Sequence, residues 1–353
     1  MLTYDPILLA NVGTPFILGS MAHLAGGNML LGGLDGNLIA RWFGTSKIRS
    51  VCISMAANYF SAWCGGIPLC YFLANQDGIT IVNIKTWFLG FVILAFLLTL
   101  LLELPFIWLI LRPTRASFWR VLRATILIQT ISYPLLFGWY WLVSDKSMLT
   151  RLETVPASKL DLPTDCSLFY VSSDGRQVIQ CALDGSQGQV VAEVAILEKD
   201  GSLRVQTKPS GGYQLMYQSR REGHDKILIG DFSSSLPGKS PPSEGGGLLW
   251  GEIPSLSPNN KWRYLTGFWA SYGLQRWQKG FKTEMYGMEL PFASWYIRNA
   301  VHIQDDLVCF RLGDDQICAL RFDRRQIALI TRGRALLVVR RPQDLLPSES
   351  KTQ

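Results

Sequence analysis

Apolar residues follow two different patterns along the chain. Through residue 143 they form long runs with few charges; beyond it they come in short alternating pieces separated by turns. The longest run is Phe88–Leu111, FLGFVILAFLLTLLLELPFIWLIL, 24 residues with one charge, Glu103. About 20 apolar residues suffice to cross a bilayer, so this run predicts a transmembrane helix. Its apolar neighbours are read in that light. Four spans are expected, Asn11–Arg41, Val51–Leu73, Trp87–Leu111 and Phe118–Val143, giving an all-α transmembrane domain of four helices over residues 1–143. The first is long and glycine-rich with Asp35 inside, which predicts either one tilted helix or a broken pair.

Beyond residue 143 the period changes. Residues 144–165 read as a polar tether with Pro156 and Pro163, followed by an all-β antiparallel domain over 166–342 and a tail over 343–353. SLFYVSSDGRQVIQCAL alternates about a Ser-Ser-Asp-Gly turn, and DLVCFRLGDDQICALRF about Gly313-Asp314. Both read as hairpins. Further turn signals recur at Asp184-Gly185, Asp200-Gly201, Gly211-Gly212, Lys279-Gly280 and Arg332-Gly333. Asp306–Arg341 reads as a four-strand meander. The pattern predicts a sandwich or open barrel. A small propeller-like array is the alternative, because Gln180-Cys181-Ala182-Leu183 is echoed in Gln316-Ile317-Cys318-Ala319-Leu320. Ser233–Gly247, SSSLPGKSPPSEGGG, is too rich in Pro, Gly and Ser for an element interior.

Charge sharpens this division. Residues 1–143 hold 8 Lys/Arg and 4 Asp/Glu, a balance of +4; the remainder holds 26 and 23, a balance of +3, which together make the net +7. No concentrated basic patch exists of the kind that nucleic acid requires. Arg41, Lys47 and Arg49 follow the first expected span, and Arg112, Arg115 and Arg120 the third; only Lys85 lies between the second and third. By the positive-inside rule those basic loops are cytoplasmic, which places both termini and the β domain outside, as in a bacterial-type inner-membrane protein. Trp87, Trp139, Tyr140 and Trp141 would mark one interface, Trp42, Trp108 and Trp119 the other. Small residues at four-residue spacing, Ala57-Ser61-Gly65, Ala22-Gly26 and Gly32-Gly36, would let helices approach closely.

Cysteines test the compartment. Cross-strand partners in a hairpin share a constant index sum. A turn centred on Ser173-Asp174 gives 347, which Cys166 and Cys181 satisfy; one at Gly313-Asp314 gives 627, which Cys309 and Cys318 satisfy. Both pairs are therefore candidate disulfides, in keeping with an oxidising compartment. Cys52, Cys64 and Cys70 act as small apolar residues.

Enzymatic signatures are missing: no H-E-x-x-H, C-x-x-C or G-x-S-x-G occurs. Gly238-Lys239-Ser240 imitates the end of a phosphate loop, but Ser233 stands where that loop needs Gly, and Pro241-Pro242 prevents the following helix. His224 and the Asp305-Asp306 pair near His302 read as turn residues. No cofactor and no metal site is expected. Polar residues within the apolar half are more informative. At about 1.5 Å per residue, Asp35 lies about 9 Å in from Arg41 and Glu103 about 13 Å in from Arg112. Asn58, Arg123 and Gln129 fall at similar depth, and Asn28 shares a helix face with Asp35. These form a candidate intramembrane polar cluster, with His23 in the opposite leaflet as an isolated candidate.

The expected function is an integral membrane protein with an outward β domain that serves as a binding or scaffolding module. Its partners would be the lipid bilayer and an extracytoplasmic protein or ligand gripped by the aromatic-rich stretch Tyr264–Tyr296. Two alternatives remain: a transporter or membrane-embedded enzyme that uses the polar cluster, with Glu103 as proton acceptor and Arg123 as anion partner, or a structural subunit of a membrane complex.

Overall fold

A computed structural model describes residues 21–66, 68, 78–143, 152–196, 198, 201–219, 225–232, 253–258, 262–264, 273–276, 284–287, 295 and 297–340. Outside these lie residues 11–20 of the first expected span, Cys70, the tether up to Arg151, the loop 233–247, His224, most of Tyr264–Tyr296 and the tail. The chain forms two compact units, helical up to Thr150 and β from Arg151.

The helical unit contains α1 (Met21–Phe43), α2 (Lys47–Ser61) continued by a π-helical turn (Ala62–Gly66), α3 (Ile84–Leu111) continued by a 3-10 turn (Arg112–Thr114), and α4 (Phe118–Val143). Gly44, at φ +65, ends α1 in the left-handed conformation glycine favours. This corrects the expectation of a four-helix transmembrane domain. Among the described residues one helix, Ile84–Thr114, is long and apolar enough to cross a membrane. The others fall short for visible reasons. The α-helical part of α2 is 15 residues long, begins with Lys47 and Arg49, and gives way to a π-helical turn at Ala62. Within α1 are Asn28, Asp35, Asn37 and Arg41, and the first half of α4 carries Arg120, Arg123 and Gln129.

Glycines set the α1–α2 packing. A Cβ on Gly32 would lie 2.5 Å from Met55 Cα, and one on Gly36 would collide with Val51 Cα. The two helix backbones touch where side chains are missing, as the small-residue spacing predicts.

The β unit is antiparallel in nearly every pairing, as expected. Among the described residues its strands form four sheets in chain order. The first holds Cys166–Val171, Gln177–Ala182 and Gln189–Glu193; the second Ser202–Thr207, Tyr213–Gln218 and Asp225–Ile229; the third Trp262–Tyr264, Gly273–Arg276 and Glu284–Gly287; the fourth Ile297–Gln304, Leu307–Leu312, Gln316–Arg321 and Gln326–Arg332. The last strand, Arg334–Arg340, returns to pair antiparallel with Cys166–Val171 in the first sheet. Of the arrangements left open by the sequence, this order matches the propeller-like array, in which each sheet is a local meander. The echoed segments Gln177–Ala182 and Gln316–Arg321 hold equivalent places, each third from the sheet edge begun by Arg334–Arg340 or Ile297–Gln304.

Both faces of the first sheet are covered. Cys166, Leu168 and Tyr170 pack with Ile303, Cys309 and Ile317 of the fourth sheet; Phe169 and Val171 pack with Leu203, Val205 and Leu215 of the second. Every residue of Cys166–Val171 is buried in consequence. The expected four-strand meander over Asp306–Arg341 holds for three strands only. At Gly333 the chain turns to the first sheet, in a space where a Cβ would collide with the Tyr170 ring. The expected tether is also partly structured. Glu153–Thr154 adds a parallel strand beside Gln326–Ile327, and Leu152 and Leu160 are buried.

Neither candidate disulfide forms: Cys166, Cys181, Cys309 and Cys318 are buried free thiols. The first hairpin pairs Leu168 with Cys181, an index sum of 349, because its loop runs through Ser173–Arg176 with Gly175 at φ +78. Cys166 and Cys181 are thus diagonal on one face, about 7–8 Å apart in the usual geometry and beyond the reach of a bridge. In the second hairpin Phe310 pairs with Cys318 and Cys309 with Ala319, a sum of 628. That shift by one residue puts Cys309 and Cys318 on opposite faces.

Candidate functional site

The polar site lies inside the helical unit and is built from one face of each helix. On α1, Asn28 and Asp35 stand seven residues apart on the buried face. On α2, Ser54, Asn58 and Ser61 recur at spacings of four and three, one helical stripe. The glycine contact between α1 and α2 brings these stripes together. Glu103 enters from α3, and Gln129 and Ser132, three residues apart, enter from α4.

Each acid is held by two neutral groups. Asn58 Nδ2 donates to Asp35 Oδ2 at 3.1 Å, and the Ser132 hydroxyl lies 2.5 Å from Asp35 Oδ1. The Ser61 hydroxyl lies 2.7 Å from Glu103 Oε1, and Gln129 Nε2 donates to Glu103 Oε2 at 2.5 Å. Two further contacts tie the halves together. Asn58 Nδ2 also donates to the Ser54 carbonyl at 3.1 Å, and the Ser61 hydroxyl lies 3.1 Å from the Asn58 carbonyl. Beside the site Thr99 Oγ1 and the Tyr133 hydroxyl are hydrogen-bonded at 3.0 Å.

The structure therefore places Asp35, Asn58, Glu103 and Gln129 in one linked network. Asn28 is only 3% exposed, and its Nδ2 has no hydrogen-bond partner among the described residues. Arg123 is not in the network; it is exposed on α4. The α1 helix includes His23, whose side chain lies outside the described residues. Among those residues, neither acid makes an ion pair with Lys or Arg. Ser61 and Ser132 are hydrogen-bond partners of the acids that depth counting did not find; Ser132 was detectable as the i+3 neighbour of Gln129 on the same face.

No family model matches the chain, and no curated protein matches it in sequence.

In the β unit the polar features are structural. The His302 Nε2 lies 2.9 Å from the Asp305 carbonyl and its Nδ1 2.8 Å from Ser255 Oγ, while the backbone of His302 bonds to Pro254 and Leu256. The imidazole so fastens segment 253–258 to the fourth sheet. Burial holds its pKa below the ordinary value, opposed by the Asp305 carbonyl and the charges of Asp306 and Asp305. Arg311 is buried, and burial, with Arg298 nearby, draws its guanidinium down to about 10. Of the aromatic side chains in the stretch, those of Tyr264 and Trp295 are described, and Trp295 is half-buried. Tyr264 is buried. Its hydroxyl accepts the Ala300 N–H at 2.9 Å, which makes it a core residue.

Described residues contain no group of three or more His, Cys, Asp or Glu placed to hold a metal ion. The helical network can instead exchange protons between carboxylates and hydroxyls, because each carboxylate has a hydroxyl partner able to donate or accept.

Proposed function

We propose that the protein is an integral membrane protein, anchored by its helical unit through α3, with the β unit as an outward binding or scaffolding module. One observation carries this reading: the helical unit is inside out with respect to water. Leu30, Leu89 and Leu101 are 75%, 63% and 67% exposed, while Asn28, Asp35, Asn58, Glu103 and Gln129 are buried. In water, burial of a Leu-sized side chain stabilises by about 1.5–3 kcal/mol, so this distribution suits an apolar solvent. Exposed Trp42, Trp108 and Trp119 near Arg112 and Arg120 fit an interfacial belt.

The outward side for the β unit follows from the Lys/Arg bias of the loops, with Arg112, Arg115 and Arg120 inside, once α4 carries the chain back across the bilayer. A second reading, that the polar centre acts in transport or membrane-embedded catalysis, is favoured by the Asp35–Glu103 network.

Alkaline carbonate extraction of membranes from cells expressing the full chain tests the anchor. Retention in the pellet supports it, and release into the supernatant overturns it. Protease added to spheroplasts should cut the β unit; cleavage confined to inverted vesicles would overturn the outward placement.

A further inference from the structure

We infer that the Asp35–Glu103 centre is a binding site for one exchangeable proton, held on Glu103 Oε1. The argument is a count of hydrogens. A serine hydroxyl has one hydrogen to give. Ser61 Oγ is within hydrogen-bond distance of two oxygens, Glu103 Oε1 at 2.7 Å and the Asn58 carbonyl at 3.1 Å. A carbonyl oxygen only accepts. Both contacts are hydrogen bonds at once when Ser61 donates to Asn58 and Glu103 donates to Ser61, which puts a proton on Oε1.

The other contacts agree. Gln129 Nε2 donates to Oε2, so that oxygen is occupied as an acceptor. With the amide turned over, the Gln129 oxygen would itself require a proton on the carboxyl. Asn58 cannot turn over, since the same nitrogen faces the Ser54 carbonyl. Asp35 Oδ2 is thereby fixed as an acceptor, and the Ser132 hydroxyl is free to donate to Oδ1. The arrangement accommodates one ionised and one protonated acid.

A second observation is independent of these bonds. Asn28 Nδ2 and Ser54 Oγ, on residues 3% and 1% exposed, have no hydrogen-bond partner among the described residues. They lie on the α1 and α2 faces that carry Asp35 and Asn58. Each is a buried polar group that a water molecule would satisfy, and water is the species that carries a proton in and out. The step is acid–base: the O–H bond on Oε1 breaks, the proton passes to water, and the carboxylate keeps the donors Ser61 and Gln129. Metal cations are disfavoured, because the amide N–H groups of Asn58 and Gln129 already point at the carboxylates.

This deepens the second reading above and rests on it only for the use made of the proton. Infrared difference spectra of the full chain in H2O and D2O at neutral pH test the site. The expected result is a carbonyl-stretch band of a protonated carboxyl that shifts in D2O, vanishes in Glu103→Gln and survives in Asp35→Asn. Ser61→Ala, which removes the acceptor of that proton, should move the band to higher frequency, and this arm serves even where Glu103→Gln folds poorly. No such band in folded wild-type protein, its survival in Glu103→Gln, or its loss in Asp35→Asn would overturn the inference. Carbonate extraction is read separately, so a protein released from the membrane that still shows the band would sink the membrane reading and leave the proton site standing.

Discussion

The hydroxyl of Ser132 on α4 lies 2.5 Å from Asp35 Oδ1 on α1, joining residues 97 apart in sequence. Ser132→Ala would leave a buried carboxylate oxygen without its partner, which costs about 1–3 kcal/mol. The purified protein should melt at lower temperature in that variant and near the wild-type value in Ser132→Thr, which keeps the hydroxyl. Equal melting of all three would show that the contact contributes nothing.

Gly36 and Gly32 hold α1 against α2. Gly36→Ala would push its Cβ into Val51, and overpacking of this kind costs about 1–3 kcal/mol. Gly26, whose added Cβ would meet nothing within 4 Å, is the control. Thermal unfolding should separate Gly36→Ala from Gly26→Ala clearly.

The four thiols of the β unit should behave as inert core residues. Burial pushes Cys166 and Cys181 up to about 11 and Cys309 to about 12, so the reactive thiolate is scarce at neutral pH. Alkylation should be slow in the native protein and complete after denaturation. The intact mass should be the same with and without reductant, even for protein taken from an oxidising compartment.

His302 predicts a pH dependence. Its folded-state pKa is depressed by burial, so the native state favours the neutral ring. That contribution to stability is fully present above about 6.5 and declines as pH falls through that value and on through the folded one. Unfolding midpoints measured from about pH 7.5 down to about pH 5.5 should drop for wild type. His302→Gln, uncharged throughout, should show a shallower slope.

Much of the network was legible because depth along a helix follows directly from the 1.5 Å rise. Asp35, Asn58, Glu103 and Gln129 were found in this way. Azimuth was not used, and Arg123 shows why it matters. Six residues before Gln129, at about 100° each, it points about 120° away, whereas Ser132 at three residues is only about 60° off. The β pairings failed for a related reason. A hairpin register depends on loop length, and Gly175 and Gly313, both at positive φ, support loops longer than the two residues assumed. Long apolar character over 1–143 was equally visible, but it did not reveal that α2 gives way to a π-helical turn at Ala62.

The strand Arg334–Arg340 completes the first sheet by pairing with Cys166–Val171, Arg340 opposite Cys166. A nascent chain leaving the ribosome therefore exposes one edge of its earliest sheet throughout the synthesis of every later one. The first sheet cannot be completed until Arg334–Arg340 emerges, so a chaperone has that whole interval in which to hold it open. A stop codon before Arg334 would yield a product whose first sheet has a permanently unpaired border and a tendency to self-associate.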